Sequence, residues 1–218
     1  KNADVLEAME KVDTLVVDKT GTLTEGKPKV IRIQAVEPFS ENELLKLTAS
    51  VEKASEHPLA EAIVSKAKDN DLNIESCSDF KSFTGKGVSG IVHGKTVSIG
   101  NLQWLNELDV DFGGFTETTD QLQEEGVTVM FVSIDSKAAG IIGVADPIKE
   151  STIGALTELK KAGLHIVMLT GDNEKTANAV AKKLGIENVE AEVLPDHKHD
   201  VVKKLKQVFL LVILNILK

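Results

Sequence analysis

The 218-residue chain carries 25 lysines and arginines against 34 aspartates and glutamates, so its formal net charge is −9. This balance argues against broad nucleic-acid binding, which needs a basic surface. With 42% hydrophobic and 27% charged residues, the composition is that of a soluble globular protein. The single cysteine, Cys77, excludes an intrachain disulfide and a Cys-x-x-Cys metal site, and it fits a reducing compartment.

No apolar run reaches the ~20 residues that span a bilayer. The chain begins with Lys1 and shows no secretory signal pattern. We therefore interpret it as part of a longer protein.

The first predicted element is a buried parallel strand. Residues 12–17 form a short, β-branched apolar run that ends at Asp18. A turn rich in glycine and threonine follows, from Asp18 to Thr24. Residues 24–28 contain turn and breaker residues, and they are predicted to form a hinge.

The middle of the chain, about 30–138, has a different pattern. Residues 40–54 predict an amphipathic helix that opens with a capping box of Ser40 and Glu43, and a second helix is predicted to begin near Pro58. Short strands are predicted at 30–33, 87–92, 96–99 and 127–134. This mixture predicts an α+β insert that contains an antiparallel sheet.

From residue 140 the alternation of strands and helices returns. Strands are predicted at 140–145, 165–169 and 189–193, and helices at 149–162, 174–184 and 196–207. The flanks, 1–28 and 139–218, are therefore expected to form one discontinuous α/β domain with a parallel sheet. Residues 29–138 are expected to be inserted into it.

Three predicted strands end in acidic or hydroxyl residues, namely Asp18, Asp146 and the run Thr170-Gly171-Asp172. In doubly wound sheets, ligands bind outside the carboxyl ends of the strands. We therefore expect these side chains to gather at one edge of the parallel sheet.

The string Asp18-Lys19-Thr20-Gly21-Thr22-Leu23-Thr24 is the strongest chemical signal. A carboxylate at a strand end, followed by a turn rich in amides and hydroxyls, suits a nucleophile that accepts a phosphoryl group. A lone aspartate in such a place is more often an ordinary strand-to-loop boundary. The full string favours the nucleophile.

This string resembles the phosphorylation motif of P-type ATPases, which have a haloacid-dehalogenase-like fold. The resemblance implies that Asp18 becomes an aspartyl phosphate. Related phosphatases carry an aspartate general acid two positions after the nucleophile, where this chain has Thr20. Loss of that acid implies a longer-lived intermediate, which favours a pump over a phosphatase.

Two further segments of the flanks match the same family. Thr170-Gly171-Asp172-Asn173 resembles a motif in which Thr170 would hydrogen-bond the phosphoryl oxygens and Asp172 would organise the Mg²⁺ and nucleotide region. Lys198 matches a lysine that contacts the phosphate and neutralises charge in the transition state. The alternatives are a turn with a helix cap for the first and a surface lysine for the second. Asp146 resembles an acid near the hinge or is a structural cap.

The insert resembles the nucleotide-binding domain of heavy-metal-transporting P-type ATPases. Ser55-Glu56-His57-Pro58 matches their Ser-Glu-His-Pro motif, in which His57 would contact adenine, and Glu52 matches a glutamate that contacts the base. Gly85-Lys86-Gly87 matches a glycine pair at the nucleotide, and Gly100-Asn101 matches a turn at the same pocket. His57 by itself would more often be a helix N-cap.

The resemblance implies ATP and Mg²⁺ as cofactors, with Asp18 and the Thr20 carbonyl among the Mg²⁺ ligands. It implies a parent protein with transmembrane and actuator domains, and a position for this part on the cytoplasmic face of a membrane. The transported soft metal would bind outside this chain. Copper(I) or silver is the first expectation, ahead of zinc, cadmium or lead.

The resemblance stops after Gln207. The family continues into a strand and a Gly-Asp-Gly-x-Asn-Asp motif whose acids hold Mg²⁺, whereas residues 208–218 contain nine apolar residues out of eleven. These residues could fill the place of the missing strand, or they could be a sequence artefact. We expect nucleotide binding to survive and phosphoryl transfer at Asp18 to be weak or absent. The alternatives are a catalytically inactive nucleotide-binding fragment and a soluble phosphatase of the same fold.

Overall fold

The computed structural model describes residues 12–194, 197–206 and 211–214. These residues form two compact units, of which the first comprises the described parts of Lys1–Gly26 and Pro147–Lys218, and the second comprises Lys27–Asp146. Within the described part of the chain, no helix is both long and apolar enough to cross a bilayer.

The described residues contain ten strands and seven α-helices. The strands are β1 (Thr14–Asp18), β2 (Lys29–Ala35), β3 (Ser78–Phe83), β4 (Gly87–Val92), β5 (Lys95–Gly100), β6 (Thr128–Ile134), β7 (Lys137–Ala145), β8 (His165–Leu169), β9 (Asn188–Glu190) and β10 (Leu211–Leu214). The helices are α1 (Glu41–Glu52), α2 (Pro58–Asp69), α3 (Leu102–Glu107), α4 (Thr116–Glu124), α5 (Thr152–Lys161), α6 (Glu174–Leu184) and α7 (Lys198–Lys206).

The first unit is built on a parallel sheet with the strand order β10-β1-β8-β9. Every residue of β1 is buried, because apolar clusters cover both faces of the sheet. Leu15 and Val17 pack with α6 on one face, whereas Val16 packs with Val193 and Val202 on the other. This parallel sheet confirms the predicted α/β fold of the flanks.

The second unit is built on a six-stranded antiparallel sheet with the order β2-β7-β6-β5-β4-β3. Helices α1 and α2 cover one face, where Leu44 and Ile63 are completely buried. Helix α3 and the segment around Phe112 cover the other face with an aromatic cluster. The predicted α+β insert is confirmed, and the capping box of Ser40 and Glu43 begins α1 as expected.

The assignment of residues 140–145 to the parallel sheet is wrong. These residues belong to β7, which pairs antiparallel with β2 and β6 in the second unit. The strand that precedes Asp146 is therefore part of the antiparallel sheet. Its Oδ1 atom accepts a hydrogen bond of 3.1 Å from the Lys27 amide at the start of the insert, as a structural cap would.

The apolar C-terminal segment supplies an edge strand. Leu211–Leu214 forms β10 and runs parallel to β1, with Leu15 opposite Val212 and Val17 opposite Leu214. Of the two interpretations of residues 208–218, the structure supports the one in which they fill the place of a strand in the sheet. Residues 208–210 and 215–218 lie outside the described residues.

Candidate functional site

Asp18 ends β1 at the carboxyl edge of the parallel sheet, opposite Leu169 at the end of β8. Its carboxylate Oδ1 accepts a hydrogen bond of 2.9 Å from the Lys198 ammonium group, which lies 180 residues later in the sequence. The two side chains are only 12% and 18% exposed. The fold therefore places a cation against a nearly buried carboxylate.

The loop that follows Asp18 is held closed by its own hydrogen bonds. The Thr24 amide and hydroxyl both donate to the Lys19 carbonyl, at 3.2 and 3.0 Å, and the Gly21 amide donates to Thr24 Oγ1 at 3.1 Å. Gly21 has φ +75°, a left-handed conformation that glycine adopts without strain. The side chain of Thr20 is exposed on this loop.

Lys19 and Asp172 form a second ion pair next to the first. The Lys19 ammonium group contacts Asp172 Oδ2, and the side chains are 8% and 15% exposed. The Thr170 hydroxyl donates to the same carboxylate at 3.1 Å, and the Asp172 amide donates back to Thr170 Oγ1 at 3.2 Å. Asp172 is therefore the counter-ion of a buried lysine, a contact that the sequence did not indicate.

The turn after β8 serves two purposes at once. Thr170 is buried beneath the Asp172 carboxylate, and Gly171 is exposed. Asn173 then caps α6, because its Oδ1 accepts a hydrogen bond of 3.0 Å from the Thr176 amide. The helix cap of the structural alternative is thus present, and the contact of Thr170 with phosphoryl oxygens stays a prediction. Because β8 lies next to β1 in the sheet, Thr170 and Asp172 follow the strand that neighbours the strand ending at Asp18.

Two residues that the sequence analysis did not assign to the site support the loop after Asp18. Lys149 donates from Nζ to the Gly21 carbonyl at 2.7 Å, and the Thr152 hydroxyl donates to the Leu23 carbonyl at 2.8 Å. Both follow Asp146-Pro147 in the sequence. The sequence shows here only a lysine and a threonine between a predicted strand and a predicted helix. This pattern is too common to identify a site.

In the second unit, Glu52 lies at the end of α1 and is only 3% exposed. Burial raises the pKa of its carboxyl group to about 7, and a hydrogen bond with the Ser55 side chain opposes part of that rise. A carboxyl group with this pKa is partly protonated near neutral pH, so it can donate a hydrogen bond as well as accept one.

His57 is the N-cap of α2. Its Nδ1 atom accepts a hydrogen bond of 3.2 Å from the Leu59 amide, and Pro58 occupies the first helical position. The His57 amide in turn donates to Ser55 Oγ at 3.3 Å. An accepting Nδ1 places the ring proton of a neutral imidazole on Nε2. Glu56 is exposed beside it.

Asn101 links the glycine turn to the start of α3. Its amide donates to the Lys86 carbonyl at 2.9 Å, and its Nδ2 donates to the Gly85 carbonyl at 2.8 Å. Its Oδ1 accepts from the Trp104 amide at 2.8 Å, which caps α3. The structure therefore brings Gly85 and Asn101 together, as the sequence analysis expected, through contacts that are entirely internal.

Gly87 and Gly100 face each other in the β4–β5 pair. A Cβ atom on Gly87 would lie 2.1 Å from the Ile99 carbonyl oxygen, and one on Gly100 would lie 2.4 Å from the Lys86 carbonyl oxygen. The Trp104 ring would also lie within 3 Å of either atom. Backbone pairing and the packing of Trp104 thus require glycine at both positions, independently of any ligand.

The residues predicted to bind the nucleotide fall into two groups, one at the end of α1 and the start of α2 and the other around β4 and β5, and α1 connects them by packing. Helix α1 packs against β4 and β5. Val51, which precedes Glu52, would lie 3.4 Å from a Cβ atom on Gly90 of β4.

Carboxylate and carbonyl oxygens are the ligands that Mg²⁺ prefers, and Mg²⁺ is commonly held by one or two carboxylates together with substrate phosphates and water. Asp18 and the Thr20 carbonyl fit that protein contribution. Across the residues that the structure describes, no cluster of three or more His, Cys, Asp or Glu side chains could form a metal site without a substrate.

Comparisons with known proteins agree with these features. The profile of the haloacid dehalogenase-like hydrolases matches residues 12–212. The chain is 50% identical over 206 residues to a silver exporting P-type ATPase of Salmonella typhimurium, which covers 94% of this chain and 25% of that protein. It is 49% identical over 212 residues to a copper-exporting P-type ATPase of Legionella pneumophila, covering 97% of this chain and 29% of that protein. The chain thus spans only about a quarter of these relatives.

Solved structures show the same relationship. The catalytic domain of the CPx-ATPase CopB-B, studied for conformational changes upon nucleotide binding, matches 95% of this chain and 72% of its own, with a TM-score of 0.70 and 30% identity. A zinc-transporting PIB-type ATPase in its E2.Pi state matches 96% of this chain and 34% of its own, with a TM-score of 0.65 and 35% identity. The chain therefore belongs to the haloacid dehalogenase-like hydrolases and is a catalytic domain of the heavy-metal P-type ATPases.

Proposed function

We propose that this domain takes the γ-phosphoryl group of ATP onto Asp18. The observation that carries the proposal is the 2.9 Å contact between Asp18 Oδ1 and Lys198 Nζ at the carboxyl edge of the parallel sheet. A nearly buried carboxylate is a suitable nucleophile only if a neighbouring cation offsets the negative charge of the approaching phosphate. Lys198 supplies that charge, and Lys19 lies on the adjacent loop.

In the proposed step, an Asp18 carboxylate oxygen forms a bond to the γ-phosphorus. The bond between that phosphorus and the β,γ-bridging oxygen breaks, and ADP leaves with the electron pair. Thr170 donates a hydrogen bond to the phosphoryl oxygens in place of its present bond to Asp172. Because Thr20 cannot act as a general acid, hydrolysis of the aspartyl phosphate is slow.

Mg²⁺ would be held by Asp18, the Thr20 carbonyl and the phosphates, and when bound it neutralises phosphate charge. The acids of the Gly-Asp-Gly-x-Asn-Asp motif are not among residues 208–218.

The insert is the proposed nucleotide-binding unit. The Glu52 carboxyl group and the His57 Nε2–H group offer hydrogen bonds to the base, and the turn at Gly85 offers a backbone surface. Glu52 suits this role because its raised pKa of about 7 keeps part of it protonated. The proposal rests on these groups together with the family relationship, since no single one of them identifies a nucleotide site.

In the parent protein, this domain would drive a membrane pump for a soft metal cation from the cytoplasmic face, together with transmembrane and actuator domains. The names of the relatives include silver, copper and zinc. We propose copper(I) or silver as the cargo. ATP hydrolysis by the full-length parent that is stimulated by silver and not by zinc would support this choice, and the reverse would contradict it.

The test is the intact mass of the chain after exposure to Mg-ATP and an acid quench. We expect a phosphoryl adduct that disappears in Asp18→Asn and persists in Asp13→Asn, which changes an exposed aspartate before the same strand. An adduct in Asp18→Asn would contradict the assignment of the nucleophile. ATP binding without an adduct in the unsubstituted chain would support a nucleotide-binding fragment without catalysis, and rapid hydrolysis of a simple phosphoester would support a phosphatase.

A further inference from the structure

The loop that follows Asp18 is bound through its backbone to the segment that leads into α5. The Glu25 amide donates to the Pro147 carbonyl at 2.8 Å, and the Lys149 amide donates to the Leu23 carbonyl at 3.1 Å. Thr24 and Ile148 form an antiparallel bridge between these two bonds. The backbone of Lys149 is therefore fixed opposite the loop.

From this fixed backbone, the Lys149 side chain reaches Gly21, whose backbone is held by several contacts. Its ammonium group donates to the Gly21 carbonyl at 2.7 Å, while the Gly21 amide is bound to Thr24 Oγ1 at 3.1 Å. Both polar groups of the Gly21 backbone are thus engaged. Gly26 adds a steric constraint, because a Cβ atom on it would lie 3.0 Å from the Gly21 Cα atom.

A charged donor makes a shorter and stronger hydrogen bond than a neutral one. By accepting from an ammonium group, the Gly21 carbonyl is held in one direction, and this also fixes the plane of the peptide that joins Gly21 to Thr22. The bond polarises that peptide, which strengthens its N–H group as a donor. The Leu23 carbonyl, two residues further along the loop, accepts a hydrogen bond of 2.8 Å from the uncharged Thr152 hydroxyl.

We infer that Lys149 is a positioning residue for phosphoryl transfer, which orients the loop amides that follow Asp18 by holding the Gly21 carbonyl. The inference rests on the proposed function of Asp18. Lys149 touches the loop and not the reacting carboxylate, so its effect is on the rate of transfer. ATP recognition, which is assigned to groups of the insert, is not expected to change.

The chain offers a matched control for this lysine. Lys160 also lies in the first unit and also donates from Nζ to a backbone carbonyl, that of Gly185 at the end of α6. Lys149→Met and Lys160→Met therefore remove the same kind of bond, one at the acceptor loop and one away from it. Lys149→Arg keeps both the charge and the donors.

The experiment compares single-turnover formation of the Asp18 adduct with the Kd for ATP in these variants. We expect Lys149→Met to slow the transfer by roughly 10- to 100-fold, as displacement of positioned groups does, with the Kd for ATP unchanged within about twofold. Lys149→Arg should recover most of the rate, and Lys160→Met should match the unsubstituted chain. Thr152→Val should slow the transfer less than Lys149→Met, because it removes a neutral bond.

Three results would overturn the inference while leaving the proposed function intact. They are an unchanged rate in Lys149→Met, an equal loss in Lys160→Met, and a loss of ATP affinity as large as the loss of rate. Absence of an adduct in the unsubstituted chain is a different result, since it contradicts the proposed function and removes the inference with it.

Discussion

Lys19 and Asp172 join the ends of two neighbouring strands through an ion pair that is largely removed from water. Lys19 directly follows β1, and Asp172 lies in the turn after β8. Burying either charge alone costs several kcal/mol, because its hydration is lost and nothing replaces it. Removing one partner would therefore destabilise the first unit, because the other charge would stay buried without a counter-ion.

Replacing Asp172 by Asn is expected to destabilise the first unit by about 3 kcal/mol, because the substitution leaves the Lys19 ammonium group buried without a counter-ion. Urea denaturation followed by circular dichroism measures this change. Glu158→Gln provides the control, since its pair with Lys161 is 74% and 69% exposed and contributes little. Equal losses of unfolding free energy in Asp172→Asn and Glu158→Gln would contradict the claim that burial makes the ion pair of Lys19 costly to break.

The stability of the second unit should fall as the pH rises from about 4.5 to 7. Folding raises the pKa of Glu52 from 4.5 to about 7, so the folded state favours the protonated carboxyl group. Its contribution is fully present below pH 4.5 and is lost as the pH rises through 7, by up to about 3 kcal/mol. The Glu52→Gln variant removes this titration and should show a flatter profile between these pH values. Parallel profiles for the two proteins would contradict the assignment.

Gly87→Ala is expected to destabilise the second unit by about 2–4 kcal/mol, because the new methyl group would overlap the Ile99 carbonyl and the Trp104 ring. Trp104 is the single tryptophan of the chain, so its fluorescence during denaturation reports on this corner directly. Gly114→Ala, where a Cβ atom meets nothing within 4 Å, should be close to neutral. A neutral Gly87→Ala variant would show that the β4–β5 pair can adjust, and a ligand would then be the better reason for this glycine.

His57 has a structural role and a proposed binding role, and two substitutions separate them. His57→Ala should lose the N-cap of α2 and about 1 kcal/mol of stability, whereas His57→Asn should keep the cap. Both variants lack the imidazole, so both should bind ATP more weakly by calorimetry, by roughly tenfold. If His57→Asn binds ATP normally, then the histidine acts only as a cap.

The helices with clear sequence signals were predicted well, and the pairing of one strand was not. The capping box of Ser40 and Glu43 fixed the start of α1, because cap chemistry is local. Residues 140–145 form a continuous apolar run, which is typical of a parallel strand buried on both faces. In β7 the same pattern arises because Ile141 packs into the aromatic cluster and Ile142 packs beneath α1. An antiparallel strand that is covered on both faces therefore has the same continuous apolar sequence as a buried parallel strand.

Within the site, the motif around Asp18 was predictable, and its supports were not. Asp18 and Lys198 could be named because the family resemblance marks them, although 180 residues separate them. Strand β3 was missed because its sequence, Ser-Asp-Phe-Lys-Ser-Phe, is largely exposed and carries little apolar signal. The contacts of Lys149 and Asp172 depend on which loops meet at the sheet edge, and spacing along the chain does not encode that.

The placement of β1 has a consequence for the order of events during synthesis. Its partners, β8 and β10, emerge from the ribosome only after the whole of Lys27–Asp146 has been made. At about 5–20 residues per second, the insert has several seconds to fold while β1 has no partner strand. Asp18 is thus translated before the insert, and it acquires its contact with Lys198 only after the insert has been made. Nascent chains arrested before Lys198 would carry the complete insert and an unfinished acceptor.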